Sequence, residues 1–142
     1  NRTSPIIFEW EKVLSFEGNT GPYLQYTYAR IKSIFRKFKE ENIEYTKNSK
    51  IILESDIEKD LALVLLNFPN VVVKAAESYR PNLIADYLFE TARAFNTFYN
   101  SKSILKEENK DIMNSRITLS DKTAYILKTG LDLLGIKTVD RM

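Results

Sequence analysis

The chain has 142 residues, 44% of them apolar and 28% charged, with a formal charge of +2, which describes one globular domain able to bury roughly two thirds of its unfolded surface. Cysteine and histidine are both absent, which removes disulfides, thiolate zinc sites, Ser-His-Asp triads, HExxH metal sites and any imidazole base. The four glycines form no GxGxxG or GxxxxGK[ST] phosphate loop, and the longest nearly unbroken apolar run, Leu61 to Leu66, is far short of the ~20 residues that cross a bilayer.

The first predicted element is a short helix opened by Ser4 and Pro5 and carrying Ile6, Ile7, Trp10, Val13, Leu14 and Phe16. Its apolar set is broad enough for one side to pack on a partner beyond this stretch. Glu17-Gly18-Asn19 breaks it. Thr20 is then an N-cap type of residue, and Pro22 fits a first helical turn, so a second helix starts there and runs to Lys39. Leu24, Tyr28, Ile31, Phe35 and Phe38 recur at steps of four and three and lie within a stripe about 80° wide. That stripe faces a core.

On the same wheel Tyr23, Tyr26, Arg30, Ser33 and Lys37 fall roughly 180° to 260° away from Leu24, with Arg36 on a flank at about 120°. From Gly21 to Lys39 there are basic residues at Arg30, Lys32, Arg36, Lys37 and Lys39 and no acidic one. A local basic helix in a balanced domain suits an anionic partner docking at one place, rather than a protein that coats DNA. Pattern alone leaves two readings of this face. Rings beside cations are what unstacked nucleic-acid bases and their phosphates need; equally, tyrosine is amphipathic and sits on many ordinary surface helices.

Beyond Glu40-Glu41-Asn42, residues 43–53 offer no period and read as a loop. Ser55 with Glu58 makes a capping box for a third helix. Its Ile57, Leu61, Leu63, Val64, Leu65, Leu66 and Phe68 leave almost no polar face, which predicts the buried spine of the domain. Pro69 is expected to stop it, and Asn70 to start a short helix with Val71, Val72, Ala75 and Ala76 inward. Arg80-Pro81-Asn82 breaks the chain again. From Leu83 to Tyr99, Ile84, Leu88, Thr91, Phe95 and Phe98 repeat the four-three step, so this helix is predicted to pair with the second. Residues 100–115 look polar and irregular, anchored by Ile104, Leu105, Ile112 and Met113. A last helix is expected from about Ser120 to Leu134, with Ala124, Leu127, Leu131 and Leu134 inward and Gly135 as its stop. The sum is an all-α bundle of five to six helices.

The run Phe16-Glu17-Gly18-Asn19-Thr20-Gly21-Pro22-Tyr23-Leu24-Gln25-Tyr26, followed by Arg30, resembles the junction in arginyl-tRNA synthetases where the catalytic domain passes into the helical anticodon-binding domain. The resemblance continues through Pro81-Asn82-Leu83-Ile84-Ala85-Asp86-Tyr87-Leu88, Ala94-Phe95-Asn96, Phe98-Tyr99, Arg116 with Leu119, Gly130-Leu131-Asp132-Leu133-Leu134-Gly135-Ile136 and Arg141-Met142, and so spans essentially the whole chain. The Asp-Ala-Leu-Arg signature of that domain is reduced here to Asp121-Lys122-Thr123-Ala124. The ending is Val139-Asp140-Arg141-Met142 instead of Val-Pro-Glu-Arg-Met.

The resemblance implies that residues 1–17 end a catalytic-domain connector and that 18–142 form the anticodon-binding domain, with Met142 the natural end of the protein and Asn1 an internal start. It implies a cytoplasmic arginine–tRNA ligase as the parent, using ATP and Mg. A chain without histidine holds no HIGH-type motif, so no catalytic residue, metal site or cofactor is expected here. The implied partners are the anticodon loop of arginine tRNA and the parent's catalytic domain, with no DNA and no membrane. The family's anticodon-facing positions correspond to Tyr23, Tyr26, Arg30, Arg36, Tyr99 and Met142, with Lys32 and Lys37 as generic phosphate contacts. The implied roles are stacking for Tyr26 and Tyr99, hydrogen bonds to phosphate or base edge for Arg30 and Arg36, and apolar closure by Met142. A protein-interaction module using the same tyrosines as hot spots is the alternative.

Overall fold

The computed structural model describes residues 9–14, 18 and 20–142. In chain order the helices are α1 (Trp10–Val13), α2 (Gly21–Glu40), α3 (Asp56–Leu66), α4 (Phe68–Glu77), α5 (Asn82–Ser101) and α6 (Lys110–Leu133). The expected start of the first helix at Ser4 and Pro5 lies outside the described residues. Within them α1 is a single turn whose Trp10 is exposed, as is Leu14 just after it. No helix among the described residues is long and apolar enough to cross a membrane.

Local chemistry sets the ends of α2. The Thr20 side chain accepts a hydrogen bond from the Tyr23 amide at 3.3 Å, and Pro22 occupies the first turn, where a missing N–H costs nothing. The helix ends with Asn42 in the left-handed region (φ 52°) and the Ile43 amide bonded back to the Phe38 carbonyl at 2.9 Å. Leu24, Tyr28, Ile31 and Phe38 of the predicted stripe are buried, together with Thr27, Ala29 and Ile34; Phe35 is half-buried. On α5, Ile84, Leu88, Thr91, Phe95 and Phe98 are all buried, as predicted, and α5 packs on α2, α3, α4 and α6. Phe38, Phe95 and Phe98 lose all solvent contact, each worth roughly 1.5–3 kcal/mol of apolar burial.

Three expectations are overturned. α3 is not the buried spine: Leu63 is 66% and Leu66 73% exposed, and only Glu58, Leu61 and Leu65 of this helix are buried. α3 and the shorter α4 form an outer layer on α5, and α4 begins at Phe68 with Pro69 inside its first turn, so Pro69 opens the fourth helix instead of merely stopping the third. The buried element is α6. It begins at Lys110, ten residues earlier than the expected Ser120, and Ser115 through Ser120 are all buried.

The reason lies in its hydroxyls. Thr118, Ser120 and Thr123 each donate to the carbonyl four residues back, at 2.8 Å, so a polar side chain is satisfied within its own helix and costs little to bury. Asn114, Ser115 and Thr118 also hold the loop between α2 and α3, accepting from the amides of Thr46, Ile52 and Ser49 at 2.8, 2.8 and 3.2 Å. Arg116 is the other unforeseen core residue. Its guanidinium donates to Glu58, Glu54, Glu107 and the Ser103 carbonyl, and so ties α6 to the start of α3 and to the segment after α5. At the far end Gly135 (φ 75°) stops α6 as expected, with the Ile136 amide bonded to the Leu131 carbonyl at 2.9 Å.

Candidate nucleic-acid interface

The face of α2 turned away from the core meets the last turns of α5 and the segment that follows α6. Between them lies a cleft of about 380 Å³ lined by Tyr26, Ala29, Arg30, Ser33, Arg36, Tyr99, Asn100 and Met142. Five of the six principal candidate residues are thus brought together from three parts of the chain.

Arg30 sits at the centre of a polar cluster. Its Nη1 donates to Asn96 Oδ1 at 2.8 Å and its Nη2 to the Tyr26 hydroxyl at 3.0 Å. The guanidinium carbon lies 4.8 Å from the centre of the Tyr26 ring and 5.7 Å from that of Tyr99. Both distances are within reach of a cation–π attraction. Tyr26 is 38% exposed. Tyr99 is half-buried and backed by Phe95, ring centres 6.0 Å apart and 25° from parallel. Arg36 donates from Nη1 to the Asp140 carbonyl at 2.7 Å and lines the cleft from the other side. Met142 is 57% exposed at the rim.

Tyr23 is placed differently. Its hydroxyl accepts from Asn96 Nδ2 at 2.9 Å and its ring packs on Phe89 at 5.5 Å, behind the cleft instead of in it. Lys37 is exposed outside the cleft, while Lys32 lies in a separate groove between α2 and α6, 6.0 Å from the Tyr28 ring centre. Tyr28 is buried, and burial, helped by the nearby charge of Asp140, raises the pKa of its phenol above the ordinary value. Asn96 is the residue beside the cleft that pattern reading passed over: its amide accepts from Arg30 and donates to the Tyr23 hydroxyl, joining the two. Its signal was present. Asn96 precedes Tyr99 and Asn100 by three and four residues, so on a helix the three share a side.

The model of the DALR anticodon binding domain matches residues 24–142. The chain belongs to this family. Over its full length the DALR domain is 55% identical to an arginine–tRNA ligase of Fusobacterium nucleatum and 44% identical to that of Pasteurella multocida, and it spans a quarter of the length of each. Among solved structures it resembles the arginyl-tRNA synthetase of Thermus thermophilus, with a TM-score of 0.82 and 35% identity, over 95% of this chain and 23% of that one. In this DALR domain Ala124 of the Asp121-Lys122-Thr123-Ala124 stretch is buried, and Thr123 beside it is buried with its hydroxyl donating to the Leu119 carbonyl. The two cations that line the cleft, Arg30 and Arg36, both come from α2.

Proposed function

We propose that this chain is the anticodon-binding domain of a cytoplasmic arginine–tRNA ligase, and that the cleft between α2, α5 and the segment after α6 receives bases of the anticodon loop of arginine tRNA. In the whole protein, arginine would be attached in a catalytic domain outside this chain, at the expense of ATP with Mg. Residues 1–17 would lead in from that domain and 18–142 would hold the loop.

The observation that supports this reading is the gathering of two tyrosine rings, two guanidinium groups and an apolar methionine around one open cleft. Splayed bases are recognised by such a set: a flat ring to stack on, planar donors for base edges and phosphates, and an apolar wall that excludes water. Tyr26 and Tyr99 would stack, Arg30 and Arg36 would donate, and Met142 would close the side. Tyr23 would act from behind, by orienting Asn96. Lys32 and Lys37 would add only general attraction for the backbone.

Titrating the chain with a labelled anticodon stem-loop of arginine tRNA, against the same stem with a scrambled loop, tests the reading. We expect preference for the cognate loop. If about three phosphates are neutralised, affinity should fall with added salt at a log-log slope near −2. Equal affinity for both loops, or none for either, would remove the assignment and leave the tyrosine face as a protein-interaction surface.

A further inference from the structure

Beyond Gly135 the chain has no regular secondary structure, and Lys137, Val139, Asp140, Arg141 and Met142 are all exposed; only Ile136 and Thr138 are half-buried. Packing therefore does little to hold this segment in place, yet Met142 lies at the cleft. The segment is held by α2. Gln25 Nε2 donates to the Lys137 carbonyl at 2.7 Å, and Arg36 Nη1 donates to the Asp140 carbonyl at 2.7 Å. Between these two points Thr138 and Asp140 approach the Tyr28 hydroxyl.

Gln25 and Arg36 are eleven residues apart, which on an α-helix is three turns, about 16 Å of rise and only about 20° of rotation. They form a single stripe. Three extended steps from residue 137 to 140 cover roughly 10 Å, and the two long side chains reach across the remainder. The segment thus runs alongside α2 in the same direction, which carries Met142 past Arg36 and into the cleft wall.

We propose that Gln25 and Arg36 clamp residues 137–142 along α2 and thereby seat Met142, Gln25 being a positioning residue that acts on the cleft only through this segment. Gln25 does not line the cleft, so its influence must be indirect. Arg36 has two tasks. It lines the cleft and also fixes the segment, which leaves its remaining donors oriented toward whatever enters.

Both bonds are accepted by main-chain carbonyls, so the clamp constrains the path of the segment without using the side chains of Lys137 and Asp140.

The absence of cysteine allows a single thiol to be introduced for a spin label. Val139→Cys places it on the segment, outside the cleft. We expect a restricted label in the otherwise unchanged chain, and a mobile one after Gln25→Met, which keeps the side-chain length but removes the donor, or after Gln25→Ala. Unchanged mobility in both variants overturns the clamp. The second measurement rests on the anticodon reading. Gln25→Met is expected to weaken binding of the arginine stem-loop about two- to tenfold, the worth of one hydrogen bond, and to have no effect in a chain shortened to end at Asp140. A loss of equal size in the shortened chain overturns the indirect role, because Gln25 would then touch the RNA itself. The label needs no RNA. Increased mobility in a chain whose wild type binds no stem-loop therefore supports the clamp while the anticodon reading fails.

Discussion

Arg30 carries a guanidinium on a long stem, and such a side chain ordinarily gives up about 2 kcal/mol of rotamer entropy when a ligand fixes it. Here Asn96 and the Tyr26 hydroxyl already hold it, with two rings alongside. Much of the ordering has been done by folding, so a base or phosphate meets a donor that needs little further adjustment. Tyr26 contributes twice, as an exposed ring and as part of the support of Arg30. Tyr26→Ala is therefore expected to weaken stem-loop binding by about 1–3 kcal/mol, the range for one stacked base, with the thermal unfolding midpoint nearly unchanged because the ring is 38% exposed. Unfolding of the variant, with no separate binding defect, would instead make Tyr26 a packing residue. The same logic demotes Tyr23, whose hydroxyl is committed to Asn96 behind the cleft.

Among the elements, α5 and α6 approach each other closely at one point. A methyl group added at Gly130 would come within 2.5 Å of Leu88 Cδ2 and 2.9 Å of Cδ1, and Leu88 is fully buried, with no solvent side to turn toward. Alanine normally favours a helix over glycine by about 1 kcal/mol. At this position overpacking is expected to win, and Gly130→Ala should lose about 1–3 kcal/mol in a denaturant titration. A gain in stability would mean that Leu88 repacks freely and that the two helices are not in close register. The contrast with α3 is instructive. α3 has the more apolar letters, but its Leu63 and Leu66 face outward, whereas α6 buries serine and threonine because each hydroxyl has a carbonyl of its own helix to donate to.

For the molecule as a whole, the buried ion pair between Arg116 and Glu58 (2.8 Å) joins α6, α3 and the flanking loops, and it couples stability to pH. Burial by itself would raise the pKa of Glu58, but hydrogen bonds from Arg116 and Ser55, together with the charge of Arg116, outweigh it and leave the carboxyl below its ordinary value. A carboxyl whose folded pKa is depressed adds stability that is fully present above the unfolded value, near 4.3, and is lost as pH falls through the folded one. Denaturant midpoints measured from pH 7 to pH 3 should therefore fall on acidification. Glu58→Gln should be less stable than wild type at pH 7, because it leaves the buried guanidinium without its one fully buried counter-charge, and its acid-dependent loss should be smaller. Equal acid sensitivity in the two proteins would exclude Glu58 as a source of the effect.

The sequence by itself determined the starts of α2 and α3, the stop of α6 and which sides of α2 and α5 face inward. Thr20 with Pro22, Ser55 with Glu58, and Gly135 act on amides and carbonyls within a few residues, and a four-three apolar step is a property of one helix alone. The Tyr26, Arg30 and Arg36 face was legible for the same reason, and the resemblance added Tyr99 and Met142. What only the tertiary structure decided is which helix lies inside and how distant side chains meet. Arg30 reaches Asn96 across 66 residues and Arg36 reaches Asp140 across 104. Hydrophobic period is blind to such bonds, because it scores each letter for apolarity and cannot know which hydroxyl, amide or guanidinium finds its partner once the chain has folded.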